Sequence, residues 1–210
     1  MAQKFLTDQD RMGEAASRGG VPMDSLHLVA VTKNASIAQV RELLEMGHAD
    51  FGESRMQHFL QFAAQVDDFL ERHHELGPSE SLVPDAIRWH FIGHLQRNKV
   101  RKILPATRLI HSVDSLRLAE EIQACPLERE QPFEVLIQVN VSGERGKNGI
   151  APAAAMHLIE QMDTMADISV RGLMCMAPYS EDPEDSRSVF ERARELGIIA
   201  FSTPFDETSV

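Results

Sequence analysis

The stretch LHLVAVTKNASIAQVRELLEMGHADFGES, Leu26–Ser54, decides the fold. Leu26–Thr32 reads as a strand. It is apolar almost throughout, with His27 as its one interruption, as strands buried on both faces of a parallel sheet are. A single cation, Lys33, stands at its tip. Ser36 and Gln39 then have capping-box spacing, which satisfies free backbone N–H groups at a helix start. Ile37, Val40, Leu43 and Leu44 recur on one helical face, and Gly47 sits where a C-terminal stop belongs. Ala49–Ser54, ADFGES, opens the next strand.

Working outward, the unit repeats. A helix is expected through Met56–Glu71, and Arg72–Asp85 reads as a surface excursion. Strands follow at Ile87–Leu95, Arg108–Asp114, Phe133–Ser142 and Ile168–Met176. Their helices are QRNKVRKIL, SLRLAEEIQA, APAAAMHLIEQM and PEDSRSVFERAREL. Six βα units in order imply a parallel sheet, because parallel strands need crossover connections. An open doubly wound sheet and a closed (β/α) barrel both satisfy this. No Gly-rich fingerprint follows the first strand, which weakens the dinucleotide-binding version and favours the barrel. Polar residues gather where strands end, at Lys33, Ser54, His94, Asp114 and Asn140, as they do at the sites of α/β enzymes.

Bulk properties narrow the function. The chain has 210 residues and reads as one domain, 43% hydrophobic and 25% charged. Its net charge of -11 is a poor match to nucleic acid or anionic membranes, so neither is expected as a partner. Cys125 and Cys175 stand far apart in no metal-ligand spacing, which fits a reducing compartment. No apolar run is long enough for a bilayer span, and the polar N-terminus does not read as a secretory signal. The expected location is the cytoplasm.

Lys33 has two readings. A strand-end lysine can snorkel into solvent. Alternatively, a partly desolvated lysine at a barrel mouth can serve as a Schiff-base amine, which attacks a carbonyl only when neutral.

Six motifs bear on the choice: LVAVTKN, FGES, WHFIGHLQRNK, HSVDS, VLIQVNVSGERGKNG and VRGLMCM. In this order, from about Met12 to about Leu196, they resemble the pyridoxal-phosphate homeostasis proteins, which share the N-terminal barrel of alanine racemase. The resemblance implies a (β/α) TIM-type barrel with Lys33 carrying pyridoxal 5′-phosphate as a Schiff base. It also implies a role in supplying or buffering that aldehyde, with no catalytic turnover firmly attached. Ser54 stands where the family usually has asparagine and is placed near the cofactor. His90 is assigned to the ring pocket, or to a structural role. Asn140 either meets the ring, orders the lysine or makes a strand-end turn. Met174 packs on the ring face or is ordinary core. His90 and His94 would lie roughly 13 Å apart along a strand, too far for one metal ion. SGERGKNG lacks Walker spacing and carries the family's Lys-x-Gly feature at Lys147 and Gly149.

The resemblance breaks near the end. The family's Ser-Met-Gly-Met-Ser and Arg-Ile-Gly strands, which it credits with the cofactor's phosphate, do not occur here. Gly197–Phe201 can make a seventh strand, and FSTPFDETSV resembles a segment of another barrel family, the N-acetylneuraminate synthases. Residues 197–210 thus read as a divergent segment of an incomplete barrel, with no eighth strand. Open edges of such a barrel invite self-association. Two other functions compete. A racemase or decarboxylase would need a second acid/base, for which the chain offers one tyrosine, Tyr179. A degenerate, non-binding barrel fragment is the other.

Overall fold

A computed structural model describes residues 2–77, 81–127, 130–144 and 146–200. It divides into two compact units, residues 1–92 and 93–210. In the first, α1 (Ala2–Gly19) precedes β1 (Ala30–Val31), α2 (Ile37–Glu45), β2 (Asp50–Glu53), α3 (Met56–Leu76) and β3 (Arg88–Phe91). The strands are parallel, with Ala30 opposite Phe51 and Phe51 opposite Trp89. The capping box forms as read: Ser36 Oγ accepts the Gln39 N–H, and the Ser36 N–H donates to Gln39 Oε1 at 2.9 Å. Gly47 ends α2 at φ +87°, a left-handed conformation that favours glycine.

Strand alternation sorts the first unit's residues. Phe51, Trp89 and Phe91 face α3, where Phe59 meets Trp89 and Phe91 edge-on at 5.7 and 5.9 Å between ring centres. Asp50, Gly52, Arg88 and His90 occupy the intervening positions, on the opposite face. Val40, Leu43 and Leu44 of α2 are fully buried, as their spacing predicts. Phe5 of α1 packs on the His48 ring.

In the second unit, a 3₁₀ turn (Arg97–Lys99) leads into α4 (Val100–Ile103). Then come β4 (Leu109–Val113), α5 (Leu116–Gln123), β5 (Phe133–Gln138), α6 (Pro152–Met162), β6 (Ile168–Met174) and α7 (Arg187–Ala200). These strands are also parallel, with Ile110 opposite Val135 and Val135 opposite Val170. Ile110, Val113, Val135 and Ile137 are buried, as are Leu118 and Ile122 of α5 and Met162 of α6, and they supply this unit's apolar core. All six predicted βα units are present.

Four expectations change. β1 ladders over two residues rather than Leu26–Thr32, and Val31 is 42% exposed, so this strand is not buried on both faces. Apolarity marked the segment, but a ladder requires a partner of matching length. α3 runs on to Leu76, so the excursion begins at Gly77; nothing in Arg72–Leu76 breaks a helix. The helix expected at QRNKVRKIL is a short α turn between two 3₁₀ turns, with Pro105 in the second. Finally, Gly197–Ala200 continue α7 instead of making a seventh strand. A helix supplies its own backbone partners, whereas a strand must borrow them from a neighbour. Phe201 and the rest of the divergent segment lie outside the described residues.

Candidate functional site

Lys33 occupies a tight turn just past β1. The Ala35 N–H donates to the Thr32 carbonyl at 2.8 Å, with Lys33 and Asn34 between them. Lys33 is exposed, not partly desolvated as the sequence argument supposed. It makes no hydrogen bond or ion pair with any described residue. An amine left free at the C-terminal end of a parallel strand fits a group that offers a carbonyl.

Beside it lies a buried carboxylate. Glu53, the last residue of β2, has no exposed surface. Its Oε1 accepts the Ser54 and Arg55 N–H groups at 2.7 and 3.3 Å. Its Oε2 accepts the Thr32 hydroxyl at 3.1 Å and hydrogen-bonds with His58 Nδ1. Burial alone would push the Glu53 carboxyl up. The hydrogen bonds from His58, the two backbone N–H groups and Thr32 outweigh it and hold the group below its ordinary value. Ser54 is half-buried, with its hydroxyl 3.5 Å from Glu53 Oε1.

His90 is buried in β3, with Nε2 3.1 Å from Asp50 Oδ1. Arg88 grips the same carboxylate with two bonds of 2.7 and 2.6 Å. Burial again pushes Asp50 up. Hydrogen bonds from His90 and Arg88, with their charges, win and hold it well below the usual carboxylate range. Both acids therefore have folded pKa values below their unfolded ones. Their contribution to stability is full above about pH 5 and is lost progressively as pH falls below it. Urea midpoints should fall between pH 6 and pH 3.5, and Asp50→Asn should flatten that slope. An equal slope in the variant would refute the assignment.

In the second unit, Met174 closes β6 opposite Gln138 of β5, and its carbonyl accepts the Val139 N–H at 2.8 Å. Asn140 follows Val139 at the end of the adjacent strand. Its side chain serves its own loop: Nδ2 donates to the Glu144 carbonyl at 2.9 Å, and Oδ1 accepts the Gly143 N–H at 3.1 Å. Gly149 folds this loop back onto β5. Its φ is +109°, and a Cβ there would lie 2.9 Å from the Asn140 nitrogen, so no other residue fits without strain. The fold-back leaves a cavity of about 230 Å³ bordered by Gln138, Asn140, Lys147 and Met176. Lys147 Nζ sits 2.5 Å from Glu144 Oε1, so the cation of the Lys-x-Gly feature is paired.

Sequence reasoning named Lys33, Ser54, His90, Asn140 and Met174. The first unit ties the neighbours of Lys33 and Ser54 together through Thr32 and Glu53. The second puts Asn140 two residues beyond Gln138, the register partner of Met174. Missed were Asp50, Glu53, Thr32, His58 and Arg88. One signal was available: a four-residue strand, DFGE, bracketed by acids, which burial tolerates only with partners. His94 is exposed, 3.7 Å from Asp114, and no three potential metal ligands cluster among the described residues. Tyr179, the one candidate for a racemase's second acid/base, is 95% exposed. No described helix is long and apolar enough to cross a membrane.

Residues 21–198 match the model of the alanine racemase N-terminal domain. The pyridoxal phosphate homeostasis protein of Aquifex aeolicus is 35% identical over 89% of this chain and 75% of its own length. The chain belongs to the pyridoxal phosphate homeostasis protein family. A second member, from Escherichia coli K12, is 31% identical over 94% of the chain and 78% of that protein. Among solved structures, PipY of Synechococcus elongatus with PLP bound is similar, with a TM-score of 0.70 at 29% identity, covering 92% of this chain and 82% of PipY. Alanine racemase from Corynebacterium glutamicum, at 14% identity and TM-score 0.56, shares the α/β barrel fold of the family. The family's architecture is thus a TIM-type barrel, to which this chain contributes six βα units.

Proposed function

We propose that this chain holds pyridoxal 5′-phosphate on Lys33 and serves cofactor homeostasis by supplying or buffering it. The observation that carries this reading is the exposed amine of Lys33 at the end of β1, unpaired among the described residues, in a chain that resembles a relative solved with PLP bound. When bound, the cofactor supplies a reactive aldehyde. Lys33 supplies the amine that bonds it. On the family resemblance, Ser54, His90, Asn140 and Met174 are read as further cofactor-binding residues. Met174 offers apolar surface to the ring, and Asn140 holds the neighbouring loop in place. The work is done in the cytoplasm, on a small molecule rather than on nucleic acid, and without turnover of an amino acid.

Borohydride trapping tests this directly. After the protein is mixed with a small excess of pyridoxal phosphate and reduced, peptide mapping should find the adduct concentrated on Lys33. Labelling spread evenly over surface lysines would refute the site. Self-association through open strand edges belongs to the same reading, since β1 ladders with β2 over only two residues. Sedimentation that finds monomer alone at tens of micromolar would remove that part.

A further inference from the structure

Glu53 is fully buried with both carboxylate oxygens engaged, and its carboxylate joins the turn after β1 to the start of α3. On one oxygen it takes the Ser54 and Arg55 N–H groups; on the other, Thr32 and the first-turn residue His58. Thr32 immediately precedes Lys33, and all its polar groups are engaged. Its N–H donates to the Gly52 carbonyl at 2.9 Å, and its carbonyl accepts from Ala35 at 2.8 Å. Its hydroxyl lies 3.2 Å from the Gly52 carbonyl and 3.1 Å from Glu53 Oε2. We infer that Glu53 is a positioning residue for Lys33, acting through the hydroxyl of Thr32.

The physical reason is leverage. Lysine carries its amine on a flexible four-carbon stem, so a small rotation at the turn moves the nitrogen far. A turn anchored on its N-terminal side by a buried carboxylate narrows where that nitrogen can be. Neutral glutamine at position 53 cannot accept with both terminal atoms. One end would turn N–H donors toward either the Thr32 side or the backbone N–H groups, and the anchor would open. The inference rests on Lys33 being the attachment point.

The test uses the full chain with pyridoxal phosphate as probe. Affinity is read from absorbance titration, the attachment site from borohydride trapping, and folding from urea midpoints. Thr32→Val removes the hydroxyl and leaves Glu53 in place. It should weaken loading at Lys33 by about tenfold, the scale of one hydrogen bond to a charged group. Thr32→Ser, which restores the hydroxyl, should recover most of that loss. The Thr32→Val, Glu53→Gln double variant should load no more weakly than Glu53→Gln alone, because both act on one linkage. A purely structural role would lower the urea midpoint and leave affinity per folded molecule unmoved, which overturns the inference. Additive losses overturn it as well. Should Glu53→Gln fail to fold, the valine and serine variants decide alone. If the parent loads Lys33 while these variants match it, this inference alone fails; if the parent itself does not load Lys33, both readings fall.

Discussion

After loading with pyridoxal phosphate and removal of the free cofactor by gel filtration, Lys33→Ala should lack the absorbance band near the visible edge that the parent retains. Free aldehyde absorbs in the same region, so only the band that stays with the protein reports cofactor bonded to an amine, whose C=N double bond remains conjugated with the ring. Lys33 is the amine at the β1 strand end, exposed and without a competing ion pair among the described residues. Lys33→Arg sharpens the result. Arginine keeps the positive charge but stays protonated, so it can attract a phosphate and cannot attack a carbonyl. Both variants should lose the band completely, with arginine retaining the weaker, non-covalent binding. A band of parent intensity in either variant would show that another lysine carries the cofactor. Lys147 is the natural comparison, because its amine is held by Glu144. Lys147→Ala should keep the Lys33 adduct.

The largest loss of stability should follow Phe59→Ala. Phe59 is fully buried on α3 and packs edge-on against Trp89 and Phe91, while Phe51 adds a ring to the same cluster through Trp89. Removing the ring loses its transfer free energy and leaves a hole that rigid aromatic neighbours cannot close. Such truncations cost about 3–5 kcal/mol, which for a chain of this size lowers the melting temperature by roughly 10 °C. Leu82→Ala is the control: its side chain is 71% exposed, and the change should stay within about 0.5 kcal/mol. Thermal melts of the two variants would decide. Equal shifts would mean that the aromatic cluster does not hold the first unit together.

Much of the fold was legible because its signals are local. The Ser36–Gln39 capping box, the α2 face of Val40, Leu43 and Leu44 and the Gly47 stop each depend on residues within two turns of one another. Strand positions were legible to within a few residues for the same reason. The Glu53 network was not, although FGES stands out as a motif. Recognising it requires knowing that Gly52 lies opposite Val31, which brings the Thr32 hydroxyl to the carboxylate. That register is a property of two segments some twenty residues apart, and no periodicity within either reports it. His90 shows the same limit. Its type suggested a pocket, while its partner Asp50, forty residues away in the chain, shows how its Nε2 is used.

Taken alone, the order of residues established six alternating strands and helices and put one lysine at the tip of the first strand. Hydrophobic spacing and capping chemistry act over a few residues, so they survive without knowledge of the fold. Packing decided the rest: a two-residue β1, a helix at Gly197–Ala200, the Asn140 amide turned into its own loop, and two buried acids held as ions. Each depends on which distant group arrives as a hydrogen-bonding partner. Free energies of burial and pairing are set by that arrival, and only the assembled chain specifies it.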